Sequence, residues 1–251
     1  MATLFRPIAL AAGTLLAGCA QLETRSGDQF SESGELIALS GGGAGAANAC
    51  FSCHGLRGEG DGGGSPRLAS LDAGYLQRQL EAFADGRRRH PQMSWIAKHL
   101  STRERLEVSS FYSAMPFETS GSAISPAPGL FERGDRERGI AACANCHGQA
   151  GEGMGPANPP LAGQPASYLE AQIDSWRRSD RRNDPGDVML RISQLLTPSE
   201  SAALSAYASR LPGRPRSPES PEASREARRV DPRSGASALP LHVPESARAG
   251  E

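Results

Sequence analysis

Little in this chain is suited to a large side-chain core. Only 5% of its 251 residues are aromatic and 38% are hydrophobic, low for domains that must bury their own apolar surface. An excess of charge of one sign is also missing. The formal net charge is −1, residues 34–118 carry nine basic and nine acidic side chains, and residues 129–212 carry nine and ten. That balance excludes the basic stripe of a nucleic-acid binder. No period-2 apolar run lies near the cysteines, so strands alternating with helices are not expected. The apolar run from Ile8 to Ala17 is too short to be a transmembrane helix.

The chain does have five cysteines, four of them in the pentapeptides Cys50-Phe51-Ser52-Cys53-His54 and Cys143-Ala144-Asn145-Cys146-His147. Cys-x-x-Cys-His is the attachment signal for covalent c-type haem. Two intervening residues put both thiols on one side of a helical turn, within reach of two porphyrin vinyl groups. The adjacent histidine then faces the iron as its proximal ligand. Other uses of paired cysteines fit poorly. Structural zinc pairs lie about 15–20 residues apart, whereas these pairs lie 93 apart and each brings its own histidine. A thioredoxin-type pair needs the strand–helix alternation that is absent. Two covalently bound haem c groups are the expected cofactors, and redox work the expected task.

Cys19 belongs to an export signal. One arginine, Arg6, precedes the apolar run, and Leu16-Ala17-Gly18-Cys19 resembles the lipobox of bacterial lipoproteins. In those proteins the cysteine thiol carries diacylglycerol and becomes the new, acylated N-terminus. Ordinary cleavage after Ala17 or Ala20 is the alternative. Residues 1–18 read as a lipoprotein signal peptide, residues 19–33 as a flexible polar tether, and Cys19 as the site of lipid attachment. Several acyl chains hold a bilayer stably where one does not. Residues 213–251 are rich in Pro, Ser, Ala, Arg and Glu, contain no aromatic residue, and read as a disordered tail.

Around the two motifs the sequence repeats itself. Gly58-Glu59-Gly60 matches Gly151-Glu152-Gly153, Leu68-Ala69 matches Leu161-Ala162, and Tyr75-Leu76 matches Tyr168-Leu169, all offset by 93. Gln79, Leu80 and Phe83 match Gln172, Ile173 and Trp176 at the same offset, which becomes 96 at Met93 and Met189. Two tandem domains follow, residues 34–118 and 129–212, joined by a linker over residues 119–128. Each reads as all-α. Tyr75, Leu76, Gln79, Leu80 and Phe83 recur at helix spacing, and Gly86 is placed to end that helix. Ser101-x-x-Glu104 and Thr197-x-x-Glu200 are capping boxes that open a last helix in each copy. Residues 130–142 read as a helix leading into the second motif. Gly41-Gly42-Gly43-Ala44-Gly45, at the same place in copy one, is a poor helix former. Each half is small for a core of side chains alone, so a buried porphyrin would supply missing apolar volume.

The iron's remaining axial position separates carriers from enzymes. A methionine thioether there closes the iron to substrate and raises its potential. Met93 and Met189 correspond between copies, each just before the final helix, and are the expected sixth ligands. His90, three residues before Met93, is the rival in copy one and would give a lower potential. Met115 reads as core and Met154 as a loop side chain. Pro66 and Pro159 are placed to offer a carbonyl to the proximal histidine's other ring nitrogen. Arg87, Arg88, Arg89, Arg181 and Arg182 read either as partners of haem propionates or as a solvated basic turn.

With both haem motifs, Pro66-x-Leu68-Ala69, Pro159-x-Leu161-Ala162-Gly163-Gln164, the Tyr-Leu pairs and the two methionines in view, residues 34–212 resemble the cytochrome c4 family. The resemblance implies two class I cytochrome c domains, with His54 and Met93 on one iron and His147 and Met189 on the other. It implies an exported carrier passing single electrons towards a terminal oxidase. Copy one departs from the pattern in lacking the Gly-Gln after Leu68-Ala69. The expected protein is a periplasmic, lipid-anchored dihaem cytochrome that is not itself an enzyme. Its expected donor is a quinol-oxidising complex or a dehydrogenase, its acceptor a haem-copper oxidase, and it binds no nucleic acid. The alternatives are a dihaem redox enzyme of the peroxidase or thiosulfate dehydrogenase type, and a fixed electron-transfer subunit of a larger complex.

Overall fold

Helix boundaries fall largely where the sequence punctuates them. The computed structural model describes residues 33–119, 121 and 128–213; the signal, Cys19, most of the tether and linker, and nearly all of the tail lie outside them. Copy one contributes α1 (Gly34–Ser40), α2 (Phe51–His54), α3 (Ala73–Asp85), α4 (Pro91–His99) and α5 (Thr102–Ala114). Copy two contributes α6 (Gly129–Glu132), α7 (Ala144–His147), α8 (Ala166–Arg177), α9 (Val188–Leu195) and α10 (Pro198–Ser209). The described residues form no strand, only isolated bridges. The all-α expectation holds.

Local chemistry explains most ends. Asp72 caps α3 by accepting the Tyr75 N–H at 2.8 Å, and α3 stops at Gly86 in the left-handed conformation. Both capping boxes are formed, at Ser101/Glu104 and Thr197/Glu200, each satisfying two otherwise unpaired amides. Behind them, Val108 and Tyr112 of α5 and Leu204 and Tyr207 of α10 turn inwards. They join two separate cores, one with Ile37, Leu76, Ile96 and Leu100, the other with Phe131, Ile140, Leu169 and Leu196.

The expected helix over residues 130–142 is not formed. α6 ends at Glu132, and the chain turns back so that Asp135 and Ile140 exchange backbone hydrogen bonds of 2.8 Å each way. Gly134 permits this: its φ is +69°, and a Cβ there would lie 2.3 Å from the Ile140 carbonyl oxygen. In copy one the helix lies ahead of the glycine run, as α1, and two short 3₁₀ turns follow it.

The glutamates of the capping boxes also hold these irregular segments. Glu104 accepts the Gly43 N–H at 2.8 Å, while Glu200 takes both terminal nitrogens of Arg138 at 2.6 and 3.0 Å. The Arg138 hydrogen bonds, then the Thr197 amide, lower the Glu200 pKa to about 2. A depressed carboxylate contributes stability above its unfolded pKa, about 4.3, and loses it as pH falls through the folded value. Melting curves should therefore show a pH-dependent increment between about pH 4 and pH 2 that Glu200→Gln abolishes; equal slopes for both proteins would contradict this role.

The two copies meet about a pseudo-twofold axis. Arg88 and Arg181 form an antiparallel bridge, flanked by Arg89 N–H to Asp180 O at 2.8 Å and Arg182 N–H to Arg87 O at 2.7 Å. Arg88 and Arg181 are counterparts at the 93-residue offset, and each of the two flanking bonds is the counterpart of the other.

Candidate haem-binding site

The two attachment loops adopt one backbone conformation twice. Cys50 sits at φ −59°, ψ −39° and Cys143 at φ −59°, ψ −37°. The following histidine donates its N–H to the first cysteine's carbonyl at 2.9 Å in both. Gly55 and Gly148 then leave the helix at φ +80° and +82°, a turn open to glycine, and redirect the chain behind the histidine. Cys50 and Cys143 are half-buried, Cys53 and Cys146 are exposed, and none of the four is paired in a disulfide. Burial pushes the Cys50 and Cys143 thiols up to about 11, which disfavours the thiolate that zinc binding needs. Among the described residues no three His, Cys, Asp or Glu side chains gather into a metal cluster.

Each histidine is held in one tautomer. His54 Nδ1–H donates to the Pro66 carbonyl and His147 Nδ1–H to the Pro159 carbonyl, both at 2.9 Å. A carbonyl can only accept, so Nδ1 carries the proton and Nε2 keeps the lone pair a metal needs. Burial lowers both histidines below their ordinary pKa, keeping the rings neutral. The carbonyl roles expected of Pro66 and Pro159 are thus observed.

Both loops open onto one continuous cavity of about 1110 Å³, which also reaches Met93, Met189 and His90. Met93 is half-buried against the first core, in the opening turn of α4. His90 caps that helix, its Nδ1 accepting the Met93 N–H at 3.2 Å. Partial burial, then Arg88, lowers the His90 pKa, so the ring stays neutral and able to accept. In copy two Asp184 does the same work. Its Oδ2 accepts the Met189 N–H at 2.7 Å and its Oδ1 the Trp176 indole N–H at 2.8 Å. Met115 packs on the first core and Met154 is 55% exposed, as expected of each.

The basic turns divide by burial. Arg87, Arg89 and Arg182 are exposed, whereas Arg88 and Arg181 are only 6% and 4% exposed. Arg88 donates to Gln79, Tyr168 and Gln172 at 2.7–2.9 Å. Arg181 donates to Gln172, Gln79 and Asn183 at 3.0 Å. The guanidinium carbons also lie 4.4 Å from the Phe83 ring centre and 3.9 Å from the Trp176 ring centre. Every acceptor is neutral, so two buried cations share one interface without a carboxylate from the described residues. Buried charge is costly unless paired. A porphyrin's propionates would supply the missing anions at the edge of this cavity. The residues therefore fit haem: thiols for its vinyl groups, a neutral imidazole for its iron, apolar walls for its faces, and Arg88 and Arg181 for its carboxylates.

Sequence reasoning picked out the cysteines, histidines and methionines, one set for each half, but missed the contact between copies. The available signal was that Tyr75, Gln79 and Arg88 recur as Tyr168, Gln172 and Arg181. Polar residues kept at matching helix positions point to a partner surface as readily as to solvent.

Covalent haem in each half is the chemistry these loops serve, which makes the molecule a dihaem c-type electron-transfer protein of all-α build. It belongs to the cytochrome c family, whose pattern it matches over residues 41–105 and again over 138–211. Among curated relatives, a thiosulfate dehydrogenase electron acceptor of Stutzerimonas stutzeri is 41% identical over 199 residues, covering 76% of this chain and 92% of that one. A cytochrome c4 of Thiocapsa roseopersicina is 34% identical, covering 63% and 84%. Among solved structures, thiosulfate dehydrogenase TsdBA from Marichromatium purpuratum aligns with a TM-score of 0.63 at 38% identity; the match covers 71% of this chain and 40% of that one. Reduced cytochrome c4 from Pseudomonas stutzeri aligns at 0.60 and 27% identity, covering 68% and 98%.

Proposed function

We propose that this protein is the electron acceptor of a thiosulfate-oxidising dehydrogenase, passing single electrons on to a further redox partner such as a haem-copper oxidase. The supporting observation is its 41% identity to a protein of that name over 92% of that protein's length. The structure of TsdBA, similar over 40% of its chain, agrees with that donor. Bound haem supplies a one-electron ferric–ferrous couple. His54 and Met93 would hold one haem and His147 and Met189 the other, leaving the protein to pass electrons without binding substrate at either. His90 acts as the cap that sets Met93 in place, and Arg88 and Arg181 would pair with the haem carboxylates between the two halves. Thiosulfate chemistry then belongs to the partner.

The test is direct. Thiosulfate together with a thiosulfate dehydrogenase should reduce both haems of the purified protein, while thiosulfate alone should not. Reduction by thiosulfate alone would make the protein itself the enzyme. Failure with the dehydrogenase, but reduction by a quinol-oxidising complex, would favour the carrier reading drawn from the cytochrome c4 relatives.

Export and anchoring through Cys19 complete the proposal, placing the protein in the periplasm and tethered to a membrane. Among the described residues no single helix is long and apolar enough to cross a bilayer. A tether would raise the carrier's effective concentration near membrane partners. Cys19→Ser should move the protein from the membrane to the soluble periplasmic fraction; unchanged membrane association would contradict lipidation.

A further inference from the structure

The two halves differ at one peptide group touching each proximal histidine. The carbonyl that accepts the His54 Nδ1 proton belongs to the peptide joining Pro66 to Arg67. The N–H of that same peptide donates to Gln164 Oε1, from the second half, at 3.0 Å. Gln164 returns the contact, its Nε2–H donating to the Arg67 carbonyl at 2.9 Å, so only one orientation of its amide satisfies both bonds. Gln164 and Arg67 are 5% and 3% exposed. The Arg67 guanidinium fixes the pair further, donating to Ala162 O at 3.0 Å and lying over the Phe117 ring.

Copy two has none of this. Its equivalent peptide joins Pro159 to Pro160 and has no N–H to give. The residue 93 before Gln164 is Leu71, which has no amide to receive one. Donor and acceptor are missing together: Arg67 and Gln164 on one side of the pseudo-twofold axis correspond to Pro160 and Leu71 on the other.

We propose that Gln164 is a positioning residue for the haem of the opposite half, lowering the reduction potential of the iron held by His54. Donation from the Arg67 N–H polarises the peptide and makes the Pro66 carbonyl a stronger acceptor. A stronger acceptor on Nδ1–H makes the imidazole a better electron donor to iron, which favours the ferric state. The hydrogen-bond chain runs across the interface for His54 and stops at Pro159 for His147. Identical axial ligands thereby give unequal irons, and this effect alone would place a lone electron on the second haem. The proposal rests on haem being bound at His54, which a haem count of the unmodified protein tests separately.

The experiment is a redox titration of the full dihaem protein followed by NMR, which resolves the methyl signals of each haem. Gln164→Leu should shift the first haem's equilibrium at least threefold towards the ferrous state, about 28 mV for one electron, and leave the second in place. The reciprocal double variant, Leu71→Gln with Pro160→Ala, should lower the second haem alone. An unmoved first haem, or equal movement of both, in Gln164→Leu would overturn the proposal. So would an unchanged or raised second haem in the double variant.

Discussion

Expressed without haem attachment, the chain should lose most of its helical circular dichroism and its cooperative melting transition. The argument is one of volume. The cavity between the cores measures about 1110 Å³. Without haem the apolar walls of that space would face water instead of a porphyrin, and the whole stability of a typical domain is only about 5–15 kcal/mol. Arg88 and Arg181 add to the penalty, since the apo-chain must bury two cations against neutral acceptors. The Cys50→Ser, Cys53→Ser pair should unfold the first half, and Cys143→Ser with Cys146→Ser the second. A haem-free chain with native-like cooperative melting would show that the side chains suffice alone.

The second large effect is at the methionines. Met93→Ala and Met189→Ala should each abolish the far-red sulfur-to-iron band of one haem only. Each should also lower that haem's potential by the equivalent of at least a tenfold change in equilibrium, about 59 mV. The opened iron should then bind carbon monoxide. His90 is separable from Met93 because its role is a cap: His90→Asn keeps a capping side chain and removes the imidazole. That variant should retain the band. A first haem that shows no such band in the unmodified protein, and whose spectrum changes in His90→Asn but not in Met93→Ala, would be held by two histidines.

Much of this was legible because attachment chemistry fixes residues close in sequence. Cys-x-x-Cys-His closes on one turn, the capping boxes close over four residues, and the 93-residue offset shows that both halves repeat the plan. What could not be read lies across the interface. Tyr75 and Gln79 satisfy the same helix periodicity as Leu76 and Phe83, and periodicity does not distinguish a core from a surface that meets another domain. Arg88 and Arg181 look solvated until burial and neutral acceptors show otherwise. Arg67 and Gln164 pair at a separation of 97 residues; in sequence, Gln164 is only a place where the copies differ. The helix expected over residues 130–142 failed because Gly134 and Gly139, both at positive φ, interrupt an otherwise favourable run.

The central claim is that each half holds one haem whose iron is closed on both sides, so that the protein passes electrons and makes no bonds. A potentiometric titration of the purified protein, followed by visible and low-temperature EPR spectra, tests it most directly. The account predicts two one-electron transitions per chain, both from low-spin ferric haem with His–Met spectra. A single transition, or a high-spin signal from either iron as isolated, would contradict it.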